Sequence, residues 1–490
     1  MKRLFCILFA VLLAVPLAAC GGAKTNEPAQ TAAVQTTEAA VTEPEETGRA
    51  AVRDDLPDKD YKNATFTILD RTKYDDEFYS EEETGEVMND AIYNRNLKTE
   101  ERFRVKLKTN PMDCNWGDQA TAWNNALTAS VMAGDGAYDL IAGYAATIPA
   151  LVSSKIFFNW AELPYVDFTK PWWSATVAEE LTINGKTFMA AGDLSTALWK
   201  GMTCLFFNKQ VAEDYKIEDF YGLVRDGKWT FDKLIEFTKD TYKDLDGDGK
   251  MTEADQYGLL CGYDIQVDCM KEAFEVNVTV KGSDGFPVLA YNNEHTVEVV
   301  EKVNNYVHNS GTVYFNSAAG STKLEAIFSE DRALLITDKL GNSNGLREME
   351  SDFGIIPYPK WDDKQQSYHS TSHDEFSVFL VPIDVKDKER TAVVTVGMSA
   401  ENYRTVIPAF YDVALKTKNA RDEESAEMID LIRDTLVFNF GYLHSGALGS
   451  VGHLFVNSIR KNDNAVASGY AAKVATYEEK LAEVLSVYKN

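Results

Sequence analysis

The sequence predicts an α/β protein, and three observations carry that prediction. Between residues 65 and 143, β-branched and aromatic runs alternate with stretches of helical periodicity. The runs at 138–143 and 376–381 stop at Gly143 and Pro382, as short buried strands do. The chain has 490 residues, too many for one ordinary core and suited to two domains.

The elements follow in order. Residues 65–69, Thr-Phe-Thr-Ile-Leu, read as a first strand, and an acidic loop follows to Glu83. Val87, Met88, Ala91, Ile92 and Leu97 recur at helical spacing and predict a helix over 87–103. Residues 104–108 alternate as a second strand, 119–133 form a helix ending at Gly134, and 138–143 form a third strand. An irregular aromatic segment, Pro171-Trp172-Trp173, precedes a hairpin turning at Asn184-Gly185. Residues 202–208 form a strand. Thr230 is placed to cap a helix through Lys239, with Trp229 as its hydrophobic staple. A helix over 297–308, strands at 333–336 and 376–381 with an extended segment over 353–360 between them, and a mostly helical remainder complete the chain. Leu481, Val484, Leu485 and Tyr488 mark the inward face of the last helix.

The charge is lopsided: 76 acidic residues against 49 Lys and Arg give a net −27. Such a field repels phosphate backbones and excludes nucleic-acid binding through a basic face. It leaves neutral ligands, cations and Ca²⁺ open. The first residues have their own pattern. Lys2 and Arg3 precede an apolar run from residue 4 to 19, a secretory signal too short for a comfortable membrane span. It closes on Leu17-Ala18-Ala19-Cys20-Gly21, which resembles the bacterial lipobox, whose cysteine receives lipid and becomes the mature N-terminus. Residues 20–55 hold no aromatic residue and are rich in Thr, Ala, Glu and Pro, so they read as a disordered tether. Cys114, Cys204, Cys261 and Cys269 are too few for a disulfide scaffold; Cys261 and Cys269 either pair or remain free thiols.

The ordered set of motifs resembles the extracellular solute-binding proteins of ABC importers, in the sugar-binding group called family 1. The resemblance rests on the lipobox and tether, on residues 86–103, and on Tyr138-Asp139-Leu140. It continues through Gly192-Asp193-Leu194-Ser195 with Phe206-Phe207-Asn208-Lys209, then Gly227-Lys228-Trp229-Thr230-Phe231-Asp232, then Phe353-Gly354-Ile355-Ile356-Pro357-Tyr358-Pro359-Lys360. It spans roughly residues 62–410. It implies a two-lobed periplasmic-binding-protein-like fold of type II, with crossing strands between the lobes and ligand in the cleft. Lobe one is expected from 60–165 plus 365–400, and lobe two from 166–364 plus 401–490. The implied function is capture of a carbohydrate, an oligosaccharide, by lobe closure and delivery to an ABC permease. The protein is expected to be a lipid-anchored monomer on the outer face of the cytoplasmic membrane. No catalysis is implied.

Sugars need aromatic platforms and hydrogen-bonding side chains in a concave site. Trp172 and Trp173 fall outside periodic patterns, Trp361 follows Pro359-Lys360 and borders Asp362-Asp363, and Trp199 stands where the resemblance implies ligand contacts; all four are candidate platforms. Tyr74 and Asp75 follow the first strand at its carboxyl end, and Tyr144 follows the third; ligands of open α/β sheets bind there. Asp193 and Asp338 are candidate carboxylates for sugar hydroxyls. Trp116 and Trp123 bracket a helix start without deciding between core and site, and His369 and His373 flank a polar segment. Separately, residues 244–255 fit the twelve-residue calcium loop. Asp244, Asp246 and Asp248 take positions one, three and five, Gly249 takes six, Lys250 offers a carbonyl at seven and Asp255 stands at twelve. A structural Ca²⁺ is the expected occupant.

Three other readings compete. One is a binding protein for a non-sugar solute such as a peptide or polyamine, where acidity favours a cation. Another is a secreted carbohydrate-active enzyme using two carboxylates. The third is a surface adhesin using the same fold without transport. The sequence holds no nucleophile elbow, zinc-protease helix or phosphate loop.

Overall fold

The computed structural model describes residues 48–217, 219–316, 320–411 and 422–489. The signal segment 1–19, the lipidation candidate Cys20 and most of the expected tether lie outside the described residues. The tether was expected to reach residue 55, and here the structure differs. Residues 48–55 pack against the body because they carry charges with partners. Arg49 donates to the Tyr403 carbonyl at 3.2 Å. The Asp54 carboxylate pairs with Arg102 at 2.7 Å and Arg404 at 3.1 Å. Burial raises the Asp54 pKa, but these bonds outweigh it and hold it down to about 2.

Nine strands build the two main sheets: β1 (Ala64–Arg71), β2 (Val105–Met112), β3 (Leu140–Tyr144), β4 (Thr203–Asn208), β5 (Tyr257–Cys261), β6 (Val313–Phe315), β7 (Ala333–Lys339), β8 (Phe353–Ile356) and β9 (Ser377–Leu380). The first sheet runs β9-β3-β1-β2. β1 is parallel to β2 and β3, pairing Phe66 with Leu107 and Ile68 with Leu140; β9 is antiparallel to β3. β2 extends past the expected Lys108 to Met112. Pro111 is tolerated within it because β2 is an edge strand, where a missing N–H costs no ladder bond.

Helices cover both faces of this sheet. Helix Val87–Phe103 begins where the Glu86 carboxylate accepts the Met88 and Asn89 N–H groups. It packs with helix Lys388–Glu401 over Phe66, Ile68, Leu140 and Phe379. Gly397 permits that approach: a Cβ there would meet the Phe103 ring at 2.5 Å. Helix Asp118–Ala133 places Trp123, Leu127 and Val131 against Leu69 and Ile141 on the other face.

The second sheet runs β6-β5-β7-β4-β8. β5, β6 and β7 are parallel, whereas β4 is antiparallel to both β7 and β8. Every residue of β4, β5 and β8 is buried, as in a sheet covered on both faces. Thr230 caps helix Phe231–Thr238, and Trp229 is fully buried with its indole donating to the Pro357 carbonyl at 3.0 Å.

Two segments pass antiparallel between the sheets. Ala190 and Phe379 exchange backbone hydrogen bonds at 3.0 and 2.7 Å, and His373 N–H donates to the Gly201 carbonyl at 2.8 Å. The buried Glu77 carboxylate ties both segments, accepting from Ser195, Thr196 and Ser377 hydroxyls and from the Ala197 N–H. The four cysteines left after residue 20 are buried free thiols. Among the described residues no helix is long and apolar enough to cross a membrane.

Candidate functional site

The carboxyl ends of the two sheets frame one cleft. Its main chamber, of about 500 Å³, is lined from the first sheet by Trp116, after β2, and Tyr144, at the end of β3. The opposite wall is Asp264, Ile265 and Asp268, after β5, together with Tyr442, His453 and Arg460 from the last helical region. His373, Asp374 and Glu375 of the crossing segment lie between the walls. A side chamber of about 170 Å³ continues past His373 and Glu375 to Tyr74, Lys200, Lys339 and Asn342.

Packing fixes the aromatic wall. The Arg71 guanidinium is sandwiched between Tyr74 and Tyr144, 4.2 and 4.6 Å from the ring centres, and donates to the Glu375 carbonyl. Trp116 is the exception to the burial around it, 61% exposed, with its ring edge-on to His453 at 6.0 Å. On the other side the buried Lys271 ammonium lies 3.9 Å from the Tyr442 ring centre, 3.3 Å from Asp268 and 2.7 Å from Glu272.

The charges at the cleft floor are unequal. Burial raises the Glu375 pKa, but Lys73 at 2.7 Å, His373 and Lys339 outweigh it and hold the carboxyl down to about 2. Burial and the nearby Asp268 and Glu375 push Asp374 up to about 7. Burial, with Lys339 beside it, pulls His373 down to about 4. At neutral pH the cleft therefore offers a neutral imidazole and a partly protonated carboxyl beside fixed charges and aromatic faces. That mixture suits hydroxyl-rich ligands, whose groups both donate and accept.

Of the candidates chosen from sequence, Tyr74 and Tyr144 line this cleft, as does His373. The others do not. Asp75 turns inward to the buried Asp70 carboxyl, whose pKa rises to about 8 through burial first and this neighbour second. Asp338 is buried and accepts from its own loop, from Lys339 N–H and the Asn342 amide, both at 2.8 Å. Trp361 is a core residue packed on Phe231, Phe274 and His295 rather than a cleft rim. Trp172 is a core residue as well, 1% exposed. Trp173, Asp193 and Trp199 line a different cavity that shares no residue with the cleft.

The loop at 244–255 gathers three of its expected ligands. Carboxylate oxygens of Asp244, Asp246 and Asp255 lie within 4.8 Å of one another, with Asp255 fully buried. Gly247 and Gly249 take φ of 75° and 73°, the left-handed turns that such a loop requires. Asp248 stands apart from the trio and lies 3.8 Å from the Lys250 ammonium, while the Lys250 carbonyl accepts from the Tyr242 hydroxyl at 3.4 Å. An all-oxygen set of this kind fits a hard divalent cation.

No protein-family model matches the chain, and no curated protein matches its sequence. Solved structures do match its fold. One is a cyclo/maltodextrin-binding protein complexed with maltotetraose, similar at TM-score 0.55 and 13% identity over 87% of this chain and 97% of that one. Another is an ABC substrate-binding protein from Listeria monocytogenes in complex with cycloalternan, at TM-score 0.52 and 10% identity over 87% and 99% of the two chains. The apo form of RafE from Streptococcus pneumoniae matches at TM-score 0.52 and 14% identity over 88% and 99%. The fold is the two-lobed, periplasmic-binding-protein-like one.

Proposed function

We propose that this protein is the substrate-binding lipoprotein of an ABC importer and that it captures a carbohydrate, an oligosaccharide, in the cleft between its sheets. The observation that carries the reading is the cleft itself. A chamber of about 500 Å³ opens at the carboxyl ends of both sheets, with the exposed Trp116 and the rings of Tyr144 and Tyr442 around neutral and charged hydrogen-bonding groups. The similar structures complexed with maltotetraose and cycloalternan support a carbohydrate as the ligand class. Lobe closure about the two crossing segments would bury the ligand, and the closed form would dock on the permease.

The protein binds its ligand without transforming it. Cys20 carries the lipid that anchors it outside the cytoplasm, and the loop at 244–255 holds a structural Ca²⁺. A thermal-shift panel of oligosaccharides, peptides and polyamines tests the ligand class. Stabilisation by an oligosaccharide is expected; stabilisation by peptides or polyamines alone would overturn the reading. Product formed on long incubation with the bound sugar would replace binding by enzymatic activity. Mass spectrometry of the mature N-terminus tests lipidation, with a diacylglyceryl Cys20 expected and an unmodified Cys20 contradicting it.

A further inference from the structure

The side chamber of the cleft has a charge balance opposite to that of the main chamber. Lys200, the last residue of helix Thr196–Lys200, and Lys339, the last residue of β7, both line its volume of about 170 Å³. Gly341 lets the two approach: a Cβ there would meet the Lys200 carbonyl at 2.9 Å, so the turn after β7 lies against the end of that helix. One acid, Glu375, shares the wall, and it already holds the Lys73 ammonium at 2.7 Å.

The two lysines are loosely engaged. Among the described residues the carboxylate nearest the Lys200 ammonium is Asp76 at 4.0 Å, on a side chain 72% exposed, and the one nearest Lys339 is Glu375 at 3.6 Å. Both separations exceed a hydrogen bond, and an ammonium carries three donors. An anionic group in the chamber would take charge-assisted hydrogen bonds from both lysines. Tyr74, Asn342 and the neutral His373 complete the wall with uncharged polar groups.

The main chamber differs. Asp264 and Asp268, with the partly ionised Asp374, line it against one cation, Arg460, which already pairs with Asp264. That wall repels a further anion. His373 and Glu375 line both chambers, so one extended ligand can occupy the two together. The side chamber is too small for a whole small-molecule site, whose volume starts at about 300 Å³, and suits one terminal unit. The net −27 of the chain does not decide the matter, since exposed charges more than about 8 Å away are largely screened at physiological ionic strength.

We propose that the ligand of the cleft is an oligosaccharide with one anionic group on a terminal unit, held in the side chamber between Lys200 and Lys339, with its neutral units in the main chamber. The inference rests on the carbohydrate reading of the cleft. Lysine ammoniums are point charges without the planar fork of arginine, so this chemistry accepts a uronate carboxylate or a sugar sulfate. The test is isothermal titration calorimetry of the whole chain with maltotriose and cellotriose, and with the counterparts of each that carry a terminal glucuronate or a terminal glucose 6-sulfate. The readout is the ratio of the neutral to the anionic Kd. At least one anionic trisaccharide is expected to bind about tenfold or more tighter than its neutral counterpart, and the larger ratio identifies carboxylate or sulfate as the preferred group. Lys200→Gln is expected to cut that ratio about threefold or more, and Lys200→Gln with Lys339→Gln to abolish it. The Lys200 side chain is 38% exposed, so its single variant reports even where the double variant fails to fold. Neutral trisaccharides bound as tightly as the anionic ones would overturn this inference and leave the carbohydrate reading standing. A preference undiminished in Lys200→Gln would place the anion elsewhere and overturn it too. Binding by none of these trisaccharides would overturn it together with the oligosaccharide reading.

Discussion

Replacing Trp116 by alanine isolates the contribution of the cleft's aromatic platform. Its side chain leaves 61% of its surface to solvent, so the fold gains little from it. On an indole of about 250 Å² that exposure is roughly 150 Å², of which one ring face is about half. A sugar ring stacked there covers about 75 Å², which at about 25 cal/mol per Å² amounts to about 2 kcal/mol, or about thirtyfold in Kd. The edge contact with His453 is lost as well, and unfolding stability should change by about 0.5 kcal/mol or less, as for other exposed positions. Calorimetric titration of wild type and Trp116→Ala with the oligosaccharide found by thermal shift measures the first number, and urea denaturation the second. Unchanged affinity would refute the reasoning. A stability loss of several kcal/mol would refute it too, by showing that Trp116 supports the fold rather than the ligand.

Three further outcomes follow from the geometry. Lys271→Met leaves the buried Asp268 and Glu272 carboxylates without their cation, so chemical denaturation should show a loss of about 3–5 kcal/mol; a loss below about 1 kcal/mol would mean the pair is not held as described. Asp70 and Asp193 are both raised to about 8, burial first among the causes, against an ordinary value of 3.8. Through these two acids the folded state keeps protons that the unfolded chain has lost, so their contribution to stability falls as pH rises toward and through 8. The melting temperature should be higher at pH 6.5 than at pH 8.5, and the opposite order would contradict the burial of these acids. Chelation by EDTA should lower the melting temperature of calcium-loaded protein and leave Asp244→Ala unmoved; an equal response in both would remove the metal from the loop.

Much of the fold is written in local pattern. The helix Val87–Phe103 and the strands around residues 64–71, 140–144 and 333–339 stand where local pattern places them, although Leu97, expected on the helix's apolar face, is exposed. The site was less legible. Trp116 sits at the carboxyl end of β2, where the rule that selects Tyr74 and Tyr144 would also have selected it. The reading ended β2 at Lys108, and the four extra residues, with Pro111 among them, hid that position. β5 went unrecognised because Tyr257-Gly258-Leu259 follows the acidic loop, and with it went Asp264 and Asp268. Tyr442, His453 and Arg460 arrive from the far end of the chain, a juxtaposition that only tertiary packing creates. Two of the tryptophan candidates lie away from the cleft for a simpler reason. Trp172 and Trp361 fall outside periodic patterns, yet both large rings fill core space.

The central claim is that one carbohydrate is held between both walls of the cleft. Hydrogen–deuterium exchange with and without the stabilising oligosaccharide tests it most directly. The account predicts protection together at residues 113–117, 144–147, 264–268, 373–376 and 442–460, drawn from both sheets and the crossing segment. Protection confined to one sheet, or none in the cleft while the sugar binds, would contradict it.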